Sequence, residues 1–244
     1  MNNIIVPEPY AILLDPQLKL ILEESGRSTG KTTTNNKIAV MKMLESGRNN
    51  IWQARAESSD LRNTSFSSML RAIGDLDAGE YFKTSLNPLE ITCILTGARC
   101  YFTGINGKTD SDLTATKGFE PRGGTLAMFI VDEANEIKNG AHLTAAKTTA
   151  SKFLNSDGTI IYAYNPHIKR THWSHSYFNQ LLENSNESLP VFKIYSTWEM
   201  IRALLNESAV REIEHMRDTD PVHYNFTYLG QPITTAGRVI YAFN

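Results

Sequence analysis

Short apolar runs alternate along this chain with stretches whose apolar residues return every three or four positions. The runs Leu18 to Glu23, Asn50 to Arg55, Leu126 to Val131, Thr159 to Tyr164 and Pro190 to Tyr195 have the length and composition of strands. Between them, Thr32 to Glu45 carries Ile38, Met41 and Leu44 before Gly47, and Asp60 to Ile73 gathers Phe66, Met69, Leu70 and Ile73 on one face; both predict helices. Strands alternating with helices build βαβ units around a mainly parallel sheet. The rhythm breaks at Glu90 to Leu95, the turn Thr96-Gly97-Ala98 and Arg99 to Thr103, which predict an antiparallel hairpin inserted into the α/β order. Residues 104–124 lack apolar periodicity and predict a long loop, and loops of that length are usually functional. From Trp198 the helical spacing returns in Ile201, Leu204, Leu205, Val210, Ile213 and Met216, so the chain is expected to divide into a core over 1–197 and a small subdomain over 198–244.

Composition narrows the function class without naming it. A length of 244 residues fits one large α/β domain with a small appendage, and 41% hydrophobic against 20% charged residues excludes a disordered chain. A net charge of −2 argues against a protein that coats nucleic acid by itself, because phosphate neutralisation needs clustered Lys and Arg. A transient or ring-assembled DNA contact stays compatible with it. The first twenty residues hold Glu8, Asp15 and three prolines, and no run of 18 apolar residues occurs, so a soluble, cytosolic protein without membrane contact is expected. Cys93 and Cys100 flank the Thr-Gly-Ala turn and predict two small buried side chains rather than a disulfide or metal pair.

The chemistry begins where the first strand meets the first helix. Ser25-Gly26-Arg27-Ser28-Thr29-Gly30-Lys31-Thr32, followed by Thr33, has the context of a phosphate-binding loop. Glycines let backbone N–H groups point at phosphate oxygens, and the helix N-terminus adds positive potential. Lys31 then reaches the β and γ phosphates of ATP, and the Thr32 hydroxyl ligates Mg²⁺. The usual first glycine is Ser25 here. A second triplet, Gly107-Lys108-Thr109, lacks these features: Phe102 stands where the first glycine belongs, Asp110 and Asp112 would repel phosphate, and no amphipathic helix follows.

An all-apolar run, Leu126 to Val131, leads straight into Asp132-Glu133. A strand buried on both faces needs such a run, and ligands gather at the carboxyl ends of parallel strands. Asp132 is therefore the candidate Mg²⁺ ligand with Thr32, and Glu133 the candidate general base for the attacking water. The next strand ends in Tyr164-Asn165-Pro166, which makes Asn165 a candidate sensor of the γ-phosphate; a plain Asn-Pro turn is the alternative. His167, His172 and His175 lie nearby without a carboxylate or cysteine in ligand spacing, so a metal site there is disfavoured.

Together these residues resemble the ATPase domain of the large terminase subunits of tailed bacteriophages. SGRSTGKT is similar to the family's Gly-Gly-Arg-Gly-Ser-Gly-Lys-Ser loop, IWQARAESSDLRNTSF to the segment in which an Arg ends the strand and an Arg-x-x-Ser pattern follows, FIVDEANEI to its Walker B strand and AYNP to its coupling motif. TDPVHYNFTYLGQPITTAGRVIYAF is similar to the segment that closes this domain in one phage subgroup, and residues 135–160 and 170–190 are not distinctive. The resemblance implies a RecA-like P-loop NTPase fold of the additional-strand, catalytic-glutamate type. It also implies a homo-oligomeric ring, monomeric in isolation, that translocates double-stranded DNA at a portal protein with a small terminase subunit, in the host cell cytoplasm. A separate nuclease domain belongs to that family, and none is expected within this chain. An arginine completing the site would be Arg27 in cis or, as in related motors, Arg122 presented to the neighbouring subunit, with Lys108 and Lys117 as substitutes.

Two other readings share parts of this pattern. A superfamily-two helicase-like translocase needs a second RecA-like domain, for which 244 residues leave no room. A nucleotide-binding regulator without turnover has no use for Glu133, and a steady-state phosphate-release assay separates it from an ATPase.

Overall fold

Residues 6–107, 109 and 116–232 are described by a computed structural model. Eight strands form one sheet: β1 (Leu20–Ser25), β2 (Asn49–Arg55), β3 (Phe82–Leu86), β4 (Leu89–Cys93), β5 (Arg99–Gly104), β6 (Thr125–Asp132), β7 (Leu154–Tyr164) and β8 (Val191–Ser196). Their spatial order is β3-β4-β5-β2-β6-β7-β1-β8. The six strands from β5 to β8 in that order pair in parallel, and β4 alone runs against them, pairing antiparallel with both β5 and β3.

Why the central runs are apolar throughout is visible in the burial. Ile21, Ile51, Ile130 and Ile161 point into one core layer, under helices α1 (Lys31–Glu45) and α2 (Ser67–Asp75). Leu20, Leu22, Trp52, Phe129, Val131 and Tyr162 point into the other, under α3 (Gly140–Ser151) and α4 (Trp173–Glu183). Both faces exclude water, so alternation disappears from the sequence. Each fully buried Leu or Ile contributes about 1.5–3 kcal/mol of transfer free energy. A third cluster, Trp198, Val210, Ile213, Tyr224 and Tyr228, joins a 3₁₀ segment (Trp198–Leu204) to α5 (Glu207–Thr219) and α6 (Pro221–Leu229).

Several expectations change in detail. The predicted hairpin exists, but β5 is a member of the parallel sheet beside β2 rather than part of an insertion, and β4 is followed outward by β3. Cys93 and Cys100 are buried, free thiols. The predicted helix over Asp60 to Ile73 is a π-helix over Arg62–Phe66 that turns into α2. Its wide turn is held by Phe66 N donating to Leu61 O at 2.9 Å and Ser67 Oγ donating to Arg62 O at 2.8 Å. In the long loop, Phe119 is packed rather than free, stacking on Trp52 with centroids 3.8 Å apart. Lys108, Asp110 and Asp112 of the second triplet and the closing stretch 233–244 lie outside the described residues.

Parallel strands bring their carboxyl ends to one edge of the sheet. Ser25, Arg55, Asp132, Tyr164 and Ser196 are the last residues of β1, β2, β6, β7 and β8, and all lie along that edge.

Candidate functional site

The turn after β1 is shaped by two left-handed residues, Ser28 (φ 56°) and Gly30 (φ 82°), before α1 starts at Lys31. The first N–H groups of a helix have no partner within it, so those of α1 face the space above the loop. A cleft of about 240 Å³ lies there, lined by the whole stretch Gly26 to Thr33 together with Glu133 and Asn165. Of the residues expected to bind nucleotide, only Ser25 stays below it, buried.

Ser25 has a local task that accounts for its presence in a glycine position. Its hydroxyl accepts from Lys31 Nζ at 2.5 Å and lies 2.9 Å from Thr29 Oγ1. Lys31 Nζ also donates to Asn165 Oδ1 at 2.8 Å, so the tip of β7 touches the loop lysine directly. Burial pushes the Lys31 ammonium below the usual lysine range, against the opposing pull of Glu133, Glu23 and Asp132. Thr32 Oγ1 donates to Asp132 Oδ1 at 3.3 Å, which brings a hydroxyl and a carboxylate to one point. Hard oxygen donors of this kind suit Mg²⁺.

Glu133 follows in a left-handed conformation (φ 52°, ψ 50°) that a non-glycine residue adopts only when its surroundings hold it there. That turn carries its side chain to the cleft. Burial first, and the Asp132 charge second, push its carboxyl above the usual range. Arg27 is exposed on the cleft wall.

Arg122 is found elsewhere. It precedes β6, whose eight residues at ~3.3 Å each span roughly 25 Å before Asp132. Its guanidinium pairs with the buried Glu90 of β4, and its backbone N–H donates to Tyr101 Oη at 2.8 Å. Glu90 also accepts from Arg99 at 2.5 Å. An arginine at this end of the sheet cannot serve its own Lys31 and Glu133. Lys117 is exposed in the same loop, and Lys108 is outside the described residues. The histidines are occupied with local structure: His172 accepts at the N-terminus of α4 and stacks on His167, and His175 Nε2 lies 2.8 Å from His167 O.

Glu23, Asn35 and Tyr10 are site residues that escaped the sequence. Glu23 of β1 is fully buried and accepts from Asn35 Nδ2 at 2.7 Å. Burial drives its carboxyl up to about 8, with Asn35 and Lys31 pulling back and Asp132 adding to the rise. The available signal was weak, since Glu23 stands beside Glu24 at the polar end of the strand Leu20–Ser25. Tyr10, from a 3₁₀ segment over Glu8–Leu14, donates to the loop carbonyl of Thr29 at 2.9 Å and lies 2.6 Å from Ser196 Oγ. Nothing local in the sequence ties these three together.

The loop is also gripped from outside. Arg27 N donates to Thr227 O at 2.7 Å, and a Cβ at Gly26 would stand 2.3 Å from the Tyr228 carbonyl carbon and oxygen. Gly26→Ala is therefore expected to lower unfolding free energy by about 1–3 kcal/mol, the range for overpacking, seen as a lower urea midpoint. An unchanged midpoint would mean that α6 yields without cost. A second cavity of about 740 Å³ lies among the C-terminal helices, between Met200, Arg202, Val210 and Glu214, away from these groups.

Comparison with known proteins places this geometry. The large subunit of the terminase of Bacillus phage SPP1 is 23% identical over 171 residues, 69% of this chain and 38% of that protein. Among solved structures, the large terminase of a thermophilic bacteriophage superposes with a TM-score of 0.64 at 19% identity, covering 91% of this chain and 50% of that one. That same terminase has also been solved with ADP. The ATPase domain of the Thermus phage P74-26 large terminase superposes with a TM-score of 0.57 at 14% identity, covering 88% of this chain and 89% of that domain. This chain thus spans half or less of the full-length relatives, and a single ATPase domain is matched almost end to end. The family described as phage terminase large subunit matches residues 18–231, and the chain belongs to that family.

Proposed function

We propose that this chain is the ATP-hydrolysing motor domain of a terminase that drives double-stranded DNA into a viral capsid. The observation that carries the reading is the convergence of Lys31, the Thr32–Asp132 pair and Glu133 on one cleft, from sequence positions about a hundred residues apart. Gly26 to Thr33 cradle the phosphates, and Lys31 neutralises the β and γ oxygens. Thr32 and Asp132 hold Mg²⁺, which when bound spreads the charge of the transferring phosphoryl group. Glu133, its basicity raised by burial and by Asp132, orients the attacking water and takes its proton. Asn165 links the occupancy of Lys31 to the tip of β7.

Further parts of the proposal follow the family. The third cluster, from Trp198 to Leu229, supports a division into a core over 1–197 and a small subdomain over 198–244. Partners are a portal protein, a small terminase subunit and further copies of the chain in a ring, acting in the host cell cytoplasm. The arginine that completes the site is Arg122, too far from its own cleft and offered to a neighbour, with Arg27 on the cleft wall as the cis alternative.

The test is Mg²⁺-dependent phosphate release from ATP. Activity per subunit is expected to rise with protein concentration, and Arg122→Ala to lose on the order of 10³-fold in turnover with ATP affinity kept. Mixing Arg122→Ala with Glu133→Ala should restore part of the rate, since a mixed interface pairs an intact Glu133 with an intact Arg122. No phosphate release at any concentration would refute the motor reading. A rate independent of concentration, without rescue in proven mixed assemblies, would hand the role to Arg27.

A further inference from the structure

A group of polar side chains outside the nucleotide cleft lies just past Thr32. A cavity of about 410 Å³ is lined there by Arg55, Asn63, Thr64, Ser68 and Arg71. It shares Thr32 and Thr33 with the nucleotide cleft, so the two spaces adjoin at the first turn of α1. These walls hold two guanidinium groups, one amide and two hydroxyls, beside the carboxylates of Asp75 and Asp132, and the Thr64 hydroxyl is already given to Asp60 O at 2.6 Å. With both carboxylates engaged by Lys37 and Thr32, the uncommitted groups favour an anionic acceptor.

The cations are available. Arg71 makes no ion pair among the described residues, although Asp75 stands one turn away; Asp75 is taken by Lys37 at 3.1 Å. Arg55 touches Glu136 through one nitrogen at 3.4 Å, which leaves most of its N–H donors unengaged by that pair. The remaining acid on the wall, Asp132, faces Thr32. The backbone here is also unusual. Asn63 and Thr64 are delivered by the π-helix over Arg62–Phe66, and such wide turns recur at functional sites.

We infer that this cavity binds a tetrahedral phosphate group, with Arg71 and Arg55 as its cationic walls and Ser68 as a hydroxyl donor. Its source is either the orthophosphate released at the adjoining cleft or a backbone phosphate of DNA. Orthophosphate is the better fit, since it is small enough for the space and arises where Thr32 and Thr33 border both cavities. That source rests on the ATPase reading; the binding itself does not.

The probe is inorganic phosphate, titrated with MgADP present and followed by ³¹P line broadening, which needs no turnover. Saturable broadening is expected, weakened about tenfold by Arg71→Gln and largely recovered in Arg71→Lys. Arg71 is exposed on α2, so both variants are expected to fold, and ADP affinity should be unchanged. Lys31→Met removes any share of the signal that belongs to the phosphate loop. In a parallel arm, anisotropy of a short labelled duplex is measured across a salt series. Loss of DNA affinity in Arg71→Gln, with the salt slope reduced by about one, would identify a backbone phosphate as the ligand. Loss in either arm supports the site and names its source. Wild-type behaviour of Arg71→Gln in both arms overturns it. Absence of ATP turnover in the wild type would overturn the motor reading while leaving both binding arms decisive.

Discussion

Replacing Lys31 by alanine is expected to weaken ATP binding by two orders of magnitude or more. The ammonium is buried among carbonyl oxygens of Ser25 and Gly26 and the amide oxygen of Asn165, a setting that reserves its charge for a stronger anion. Each charge-assisted hydrogen bond contributes about 1.5–3 kcal/mol, and Lys31 reaches two phosphates. Truncation also leaves Glu23 without its nearby cation, so Lys31→Met, which keeps most of the volume, is the fairer partner variant. Calorimetric titration with ATP and Mg²⁺ is the measurement. Affinity within threefold of wild type in both variants would remove Lys31 from the phosphate site.

Glu133→Gln is expected to bind ATP as the wild type does and to lose about 10²–10⁴-fold in turnover, the usual contribution of a general base. Glutamine keeps the left-handed turn and the shape of the side chain but cannot take a proton. The pH profile gives a second readout. Because burial and Asp132 raise the carboxyl in the free protein, and because the ionised form is the active one, kcat/KM should fall with decreasing pH above the usual carboxylate range. In Glu133→Gln that acid limb should vanish from the residual rate. Wild-type turnover in this variant would sink the base assignment.

How much of this was legible in the sequence depends on how far apart the cooperating atoms are along the chain. Gly30, Lys31 and Thr32 are contiguous between a strand and a helix, and Asp132 and Glu133 are contiguous at the end of a continuous apolar strand; local pattern was enough. The parallel sheet was equally plain, because strands buried on both faces leave unbroken runs such as Leu126 to Val131. β3 was hidden because it is an edge strand with mostly polar, exposed positions, and α3 because its buried face is built from Ala146 and Ala150 around a single Leu143. The hydrogen bond from Tyr10 to the loop joins residues nineteen apart, and that to Ser196 spans 186, so neither leaves a periodic trace. The same holds for Glu90 and Arg122, thirty-two apart. Their pairing relocates an arginine that the sequence could place only relative to its neighbours in the chain.

The contact between Gly26 and the end of α6 is made by main-chain atoms on both sides, and this has a mechanical meaning. A side-chain contact can absorb a small displacement by changing rotamer, whereas two backbones in contact must move together or separate. A displacement of the loop after β1 would therefore displace Thr227 and Tyr228, the last turn of α6, and with them the start of the chain that leaves at Gly230.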